Sequence, residues 1–213
     1  MDDLRPFLSR RPDGRCRLMG VLNVTPDSFH AASRVDLDSA IEQGMKMWAE
    51  GADWIDVGGE STRPGAEPVD SSKEMARVTP VIEALRNANP TGLISIDSRR
   101  VDVARAALDA GANMVNDVSG LRNPEMETLV IERGCAVCIM HMQGEPGNMQ
   151  QTPNYNDVFS EVYTSLTSIA DRLVEKGHEP GLICLDPGIG FDKSLTHNLE
   201  LLHSRSDSSY SIL

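Results

Sequence analysis

At 213 residues, with 40% hydrophobic and 24% charged side chains, the chain has the make-up of a soluble globular domain with a sizeable core. Twenty Lys and Arg against 32 Asp and Glu leave a net charge of −12, which argues against nucleic acid or an anionic membrane surface as the main partner. A phosphorylated small molecule stays compatible with that balance, since backbone N–H groups, a few local cations or Mg²⁺ can serve it. No run approaches a membrane span, the first thirty residues are mixed in character, and four cysteines give no disulfide framework. The expected compartment is the reducing cytoplasm.

Short β-branched runs alternate with helical patterns to about residue 202. Strands are expected near 18–23, 53–57, 93–97, 113–117, 136–140 and 182–186. Between them, Leu37, Ile41, Met45 and Trp48 make one helical face, Met75, Val78, Ile82 and Leu85 a second, and Val162, Leu166, Ile169 and Leu173 a third. Ser71-x-x-Glu74 reads as a capping box, and Pro124 suits a first helical position after Asn123. Gly51, Gly111, Gly134 and Gly177 fall at helix ends, and Pro80 is expected to kink its helix. A faint repeat, Gly51-Ala52-Asp53-Trp54-Ile55-Asp56 and Gly111-Ala112-Asn113-Met114-Val115-Asn116, feeds two strands in the same way.

Nearly continuous apolar strands covered by helices mean an α/β fold with a parallel sheet. Polar residues gathered beyond the strands' C-terminal ends favour a (β/α)₈ TIM barrel, of which about six βα units can be counted. A doubly wound open sheet is the alternative, without the GxGxxG it would carry after its first strand. After Leu202 comes a Ser-rich stretch with no helical or strand period. The expected organisation is an N-terminal segment 1–17, an incomplete barrel domain 18–202, and a tail 203–213 foreign to it, as though the chain were C-terminally truncated.

Three strand ends carry the chemistry. Leu182-Ile183-Cys184-Leu185 ends in Asp186-Pro187-Gly188, Leu93-Ile94-Ser95-Ile96 ends in Asp97, and Met114-Val115 ends in Asn116-Asp117. Together they suggest one polar cluster for a flat, nitrogen-rich molecule, although any one of them could simply cap the turn that follows. The loops Asn23-Val24-Thr25-Pro26-Asp27-Ser28-Phe29 and Gly58-Gly59-Glu60-Ser61-Thr62-Arg63-Pro64-Gly65 have the hydroxyl, amide and glycine content of segments that close over an anion, and Arg63 can pair bidentately with one. His141, directly after a strand, either lines that site or sits satisfied in the core. Cys135 and Cys138 form a CxxC inside an apolar strand pattern, best read as buried thiols.

Four segments in order resemble the dihydropteroate synthase family: Met19 to Phe29, Gly59 to Gly65, Met140-His141-Met142-Gln143-Gly144, and Leu185 to Phe191. The resemblance covers roughly residues 18–202. It implies a TIM-barrel enzyme of folate biosynthesis that joins 6-hydroxymethyl-7,8-dihydropterin diphosphate to 4-aminobenzoate, releasing pyrophosphate. It further implies that Asp97, Asn116 and Asp186 hold the pterin with Met140 packing nearby, that Asn23 touches Mg²⁺ and the diphosphate, and that Thr62 and Arg63 organise the diphosphate and aminobenzoate sites. The partners implied are those small molecules, with no nucleic acid or membrane, and a homodimer is allowed.

The residue chemistry agrees. Carboxylates accept from pterin N–H groups, and Asn116 can both donate and accept. C–O cleavage leaves positive charge on a methylene conjugated to the ring, which Asp97 and Asp186, as catalytic carboxylates, can stabilise while Mg²⁺ balances the departing pyrophosphate. The arylamine then attacks, with no covalent enzyme nucleophile. Departures are equally plain. His30 to Arg34 replaces the family's usual Ser-Asp-Gly-Gly, and Asp192 stands before Lys193 where Gly is common. The Ser-Arg-Lys and Arg-x-His motifs of the family's last two strands have no counterpart here. An inactive, truncated member of the family is therefore one competing expectation, and a methyltetrahydrofolate-dependent methyltransferase pterin domain another.

Overall fold

The computed structural model describes residues 3–24, 34–60, 69–144, 154–203 and 211–212. In chain order the elements are α1 (Arg5–Leu8), β1 (Met19–Asn23), α2 (Arg34–Ala49), β2 (Trp54–Gly58), α3 (Ser71–Ala88), β3 (Leu93–Asp97), α4 (Val101–Asp109) and β4 (Met114–Asp117). Then follow α5 (Pro124–Arg133), β5 (Ala136–Met140), α6 (Val158–Glu175), a 3₁₀ turn (Pro180–Leu182), β6 (Ile183–Asp186), α7 (Leu195–His203) and β7 (Ser211–Ile212). All six expected strands form within a residue of their expected bounds. The class is α/β, and six successive βα units are those of the (β/α)₈ barrel family. Among the described residues no helix is long and apolar enough to cross a membrane.

The chain divides into two compact units, with the change between Asn116 and Asp117. In the first, β1 to β4 run parallel in a register that sorts residues into rows. Leu22, Val57, Ile96 and Val115 form one row, fully buried. The next row, at the strand ends, is Asn23, Gly58, Asp97 and Asn116. Strand alternation puts those side chains on the opposite face, together with the row Val21, Asp56, Ser95 and Met114 two residues earlier.

Two helical details differ from expectation. On α2, Ala40 and Gly44 are buried whereas Met45 is exposed. A Cβ on Gly44 would lie 2.6 Å from Leu85 Cδ2, so the close approach of α3 turns the face away from the larger side chains. At the start of α3 the cap is Asp70, which accepts from Lys73 N at 2.9 Å. Glu74 is buried and pairs with Arg100 instead of closing a capping box, because an ion pair is the stronger use for a buried carboxylate. Pro80 lies inside α3, which runs from Ser71 to Ala88 as one helix.

The two members of the internal repeat behave alike. Gly51 and Gly111 take φ +107° and +111°, a region that glycine occupies without strain. Asp53 N donates to Leu18 O while Asp53 Oδ2 accepts from Leu18 N at 2.8 Å. Asn113 N donates to Ile94 O while Asn113 Oδ1 accepts from Ile94 N at 3.0 Å. Arginines complete both knots, Arg11 and Arg17 on Asp53 and Arg86 on Asn113.

In the second unit β5 and β6 pair in parallel, with Val137 opposite Ile183 and Met140 opposite Asp186. Asn123 caps α5 through Glu125 N, with Pro124 at the first position. Val162, Leu166 and Leu173 bury the inner face of α6. Glu127 on α5 pairs with Arg172 and Lys176 at the C-terminal end of α6. The residues expected to carry no period hold a seventh strand: Ser211 and Ile212 pair with Cys184 and Leu185 of β6. Two residues are too few to show any periodicity in the sequence. Cys135, Cys138 and Cys184 are buried thiols, and Cys16 is exposed.

Candidate active site

The first unit gathers Asn23, Asp97 and Asn116 along one row, separated only by Gly58. A Cβ at Gly58 would sit 3.4 Å from Asp97 Oδ2 and 3.7 Å from Asn23 Oδ1, so glycine leaves the gap between these two oxygens open. Asp97 and Asn116 are half-buried and Asn23 is exposed. Asn116 Nδ2 donates to Asp56 Oδ2 at 2.9 Å, a diagonal bond from β4 across β3 to β2. Asp56 itself is buried, which pushes its carboxyl above the usual range, against the opposing hydrogen bond from Asn116.

Asn23 and Asp97 supply hard oxygens of the kind Mg²⁺ prefers. Among the described residues no group of three or more His, Cys, Asp or Glu could hold a metal. An ion here would bring most of its ligands as water and phosphate oxygens, the habit of Mg²⁺. The oxygen donors of Asn23 and Asp97 fit the chemistry of such an ion.

In the second unit Asp186 ends β6 opposite Met140, and its Oδ1 accepts from Gly188 N at 2.7 Å. That turn orients the carboxylate. Gly188, at φ +68°, passes so close to His141 O that a Cβ would lie 2.2 Å from it. Burial raises the Asp186 carboxyl above its usual range, against the Gly188 N–H and the nearby Lys193 ammonium. Val118, Met140 and Met142 form an apolar cluster with Phe191 packed on it. A partly exposed carboxylate beside an apolar wall suits a flat heterocycle with an N–H edge.

Sequence reasoning passed over Lys193. Its side chain is fully shut from solvent, with Nζ 2.8 Å from Asp192 Oδ1 and 3.0 Å from Phe191 O. Asp192 takes φ +46°, a left-handed conformation that glycine would adopt at less cost, and its second oxygen accepts from Gln143 N. The extra negative charge is thus spent internally on Lys193. His141 is buried against Lys193, with Nδ1 3.4 Å from Nζ; burial and then that ammonium lower its pKa to about 4. Asp117, which follows Asn116, is a structural cap: it accepts from Ser119 N, Ser119 Oγ and Leu121 N.

Thr62 and Arg63, with the rest of the 61–68 loop, lie outside the described residues, as do residues 25–33. The stem of the first loop is visible. Glu60 Oε1 accepts from Val69 N at 3.2 Å, and Arg100 pairs with both Glu60 and Glu74.

Residues 19–207 match the model of the pterin binding enzyme family. The chain is 47% identical over 193 residues to the dihydropteroate synthase of Mycobacterium leprae, covering 88% of this chain and 66% of that protein. The Xanthomonas albilineans dihydropteroate synthase, solved with 4-aminobenzoic acid, is 39% identical with a TM-score of 0.80, over 92% of this chain and 67% of that one. The Burkholderia cenocepacia enzyme, solved with 7,8-dihydropteroate, is 44% identical with a TM-score of 0.76, over 87% and 63%. The chain therefore spans about two thirds of the length of these relatives. The chain belongs to the pterin binding enzyme family, within its dihydropteroate synthase branch.

Proposed function

We propose that this chain carries the chemistry of a dihydropteroate synthase, condensing 6-hydroxymethyl-7,8-dihydropterin diphosphate with 4-aminobenzoate to give 7,8-dihydropteroate and pyrophosphate. The observation that supports it most is Asp186, an oriented, half-buried carboxylate opposite Met140 and beside an apolar wall. Asp186 accepts from the pterin amino and ring N–H groups, while Met140 and Phe191 pack against the ring. Asp97 and Asn116 contribute acceptor and mixed donor–acceptor groups from the row they share with Asn23.

Loss of pyrophosphate takes the C–O bonding pair onto the leaving oxygen and leaves a methylene cation conjugated to the ring. Asp186 stabilises that charge, and the amine of 4-aminobenzoate then attacks the methylene and loses a proton. Mg²⁺, held by Asn23, would neutralise the diphosphate. The reaction places no demand on a nucleophile from the protein.

The test is calorimetry of pterin diphosphate and pyrophosphate release by protein of this sequence with Mg²⁺, beside the Mycobacterium leprae enzyme. Asp186→Asn is expected to weaken pterin binding by roughly 2–5 kcal/mol, since it replaces a half-buried charged acceptor with a neutral amide that can turn a donor toward the same N–H groups. Full activity in excess chelator would sink the Mg²⁺ assignment, and absence of pterin binding would sink the reading itself. Pterin binding without turnover would keep the binding half of this reading and overturn the condensation. The same pair of measurements separates the two.

A further inference from the structure

We propose that Asp56 is a positioning residue for the pterin site, acting through its hydrogen bond from Asn116 to fix which way round the Asn116 amide lies. The inference rests on the pterin reading above.

An Asn amide has two ends of nearly equal size, one an acceptor and the other a double donor. Exchanging them inverts the pattern offered to a ligand while barely changing shape. Whatever orients Asn116 therefore decides what its edge can recognise. Asp56 does so from beneath: its carboxylate accepts from Nδ2 at 2.9 Å, so the amino end is drawn down toward β2. Asn116 Oδ1 and the second Nδ2 proton are left in fixed places for a ligand.

Asp56 is suited to this and to little else. It lies one step deeper than the strand-end row, on the same face as Asp97 and Asn116, and is 4% exposed. It has no room to touch a ligand, and its neighbour in register, Ser95, is equally shut away. Burying a carboxylate in mid-strand is costly unless it serves a partner. A core residue of the same size would pack at less expense, so the carboxylate is there for the amide it holds.

Asp56→Asn keeps the shape but replaces an obligate acceptor with a group that can itself turn over. We expect pterin diphosphate affinity to fall about 10- to 100-fold, the scale of a hydrogen bond to a charged group. In an Asn116→Ala background the same substitution should cost almost nothing further, because nothing is left to orient. Equal losses in both backgrounds would mean a general structural role and would overturn the proposal.

A second measurement needs no substitution and no ligand. With ¹⁵N-labelled asparagine, one of the two Asn116 Nδ2 protons should exchange slowly with solvent and the other fast. Equal, fast exchange of both would overturn the proposal even if Asp56→Asn failed to fold. If the unsubstituted chain bound no pterin while that asymmetry was present, the functional reading would fail and the Asp56–Asn116 coupling would stand.

Discussion

Asp192 and Lys193 are sequence neighbours whose side chains turn onto one another, Oδ1 to Nζ 2.8 Å, with both heads shut from solvent. The carboxylate also takes the backbone N–H of Gln143, so one residue in a left-handed conformation ties together the segments after β5 and β6. Asp192→Ala strands a buried ammonium and should cost about 3–5 kcal/mol of stability. Asp192→Gly loses the same pair but sheds the strain at φ +46°, so it should be milder by about 1 kcal/mol. Urea unfolding of the two variants checks the order, and equal losses would contradict it.

His141 gives the fold an acid sensitivity. Burial and the Lys193 ammonium hold its pKa at about 4, whereas an unfolded histidine titrates near 6.5. Between those values the unfolded chain binds more protons, so this contribution is complete above pH 6.5 and drains away as the pH falls toward 4. His178 is lowered by burial and acts in the same direction. Carboxyls raised by burial, such as Asp117, act in the opposite sense, so the contribution is isolated by difference. The stability lost between pH 7 and pH 5 should be smaller in His141→Gln than in the unsubstituted protein. Parallel pH profiles would refute the assignment.

The six strands were legible because each is a short apolar run closed by a turn residue, and parallel burial on both faces demands that pattern. The strand-end positions of Asp97, Asn116 and Asp186 were legible for the same reason, whereas Asn23 and Met140 were singled out only through the family resemblance. Asp56, Glu74 and Lys193 were not legible. Each is a charged residue buried through a partner far away in sequence or through a backbone turn, and neither leaves a periodic trace. Met45 was misplaced because a helix face is chosen by what packs on it, and Leu85 reaches in only where residue 44 has no side chain.

Gly188→Ala tests the turn that presents Asp186. The added methyl would stand 2.2 Å from His141 O at a positive φ, so neither the backbone nor the neighbour can give way cheaply. The variant should lose stability by about 2 kcal/mol or more and bind pterin diphosphate more weakly, because Gly188 N no longer holds Asp186 Oδ1. Retention of both stability and affinity, measured by thermal unfolding and calorimetry, would show that the turn tolerates a side chain.

Thiol labelling should separate the cysteines cleanly. Cys16 is exposed, whereas Cys135, Cys138 and Cys184 are buried, and burial pushes the Cys135 thiol up to about 12. Iodoacetamide on the native protein is expected to add a single adduct, at Cys16, with the other three reacting only after denaturation. Native modification of Cys135 or Cys138, read by peptide mass spectrometry, would show that β5 opens far more readily than its packing suggests.

Asp53 and Asn113 tie down the beginnings of β1 and β3, at the opposite ends of the strands from Asn23 and Asp97. Durability and recognition are therefore written at different ends of the same strands. A lineage could rework the rim that meets its ligand while the knots below keep the chain folded, and could equally adapt to heat by tightening those knots without altering what it binds. Variants at Asp53 or Asn113 would then surface as changes in cellular abundance and thermal tolerance, with unaltered preference among pterin analogues. Descendants with a shifted ligand preference would carry their changes at the other end.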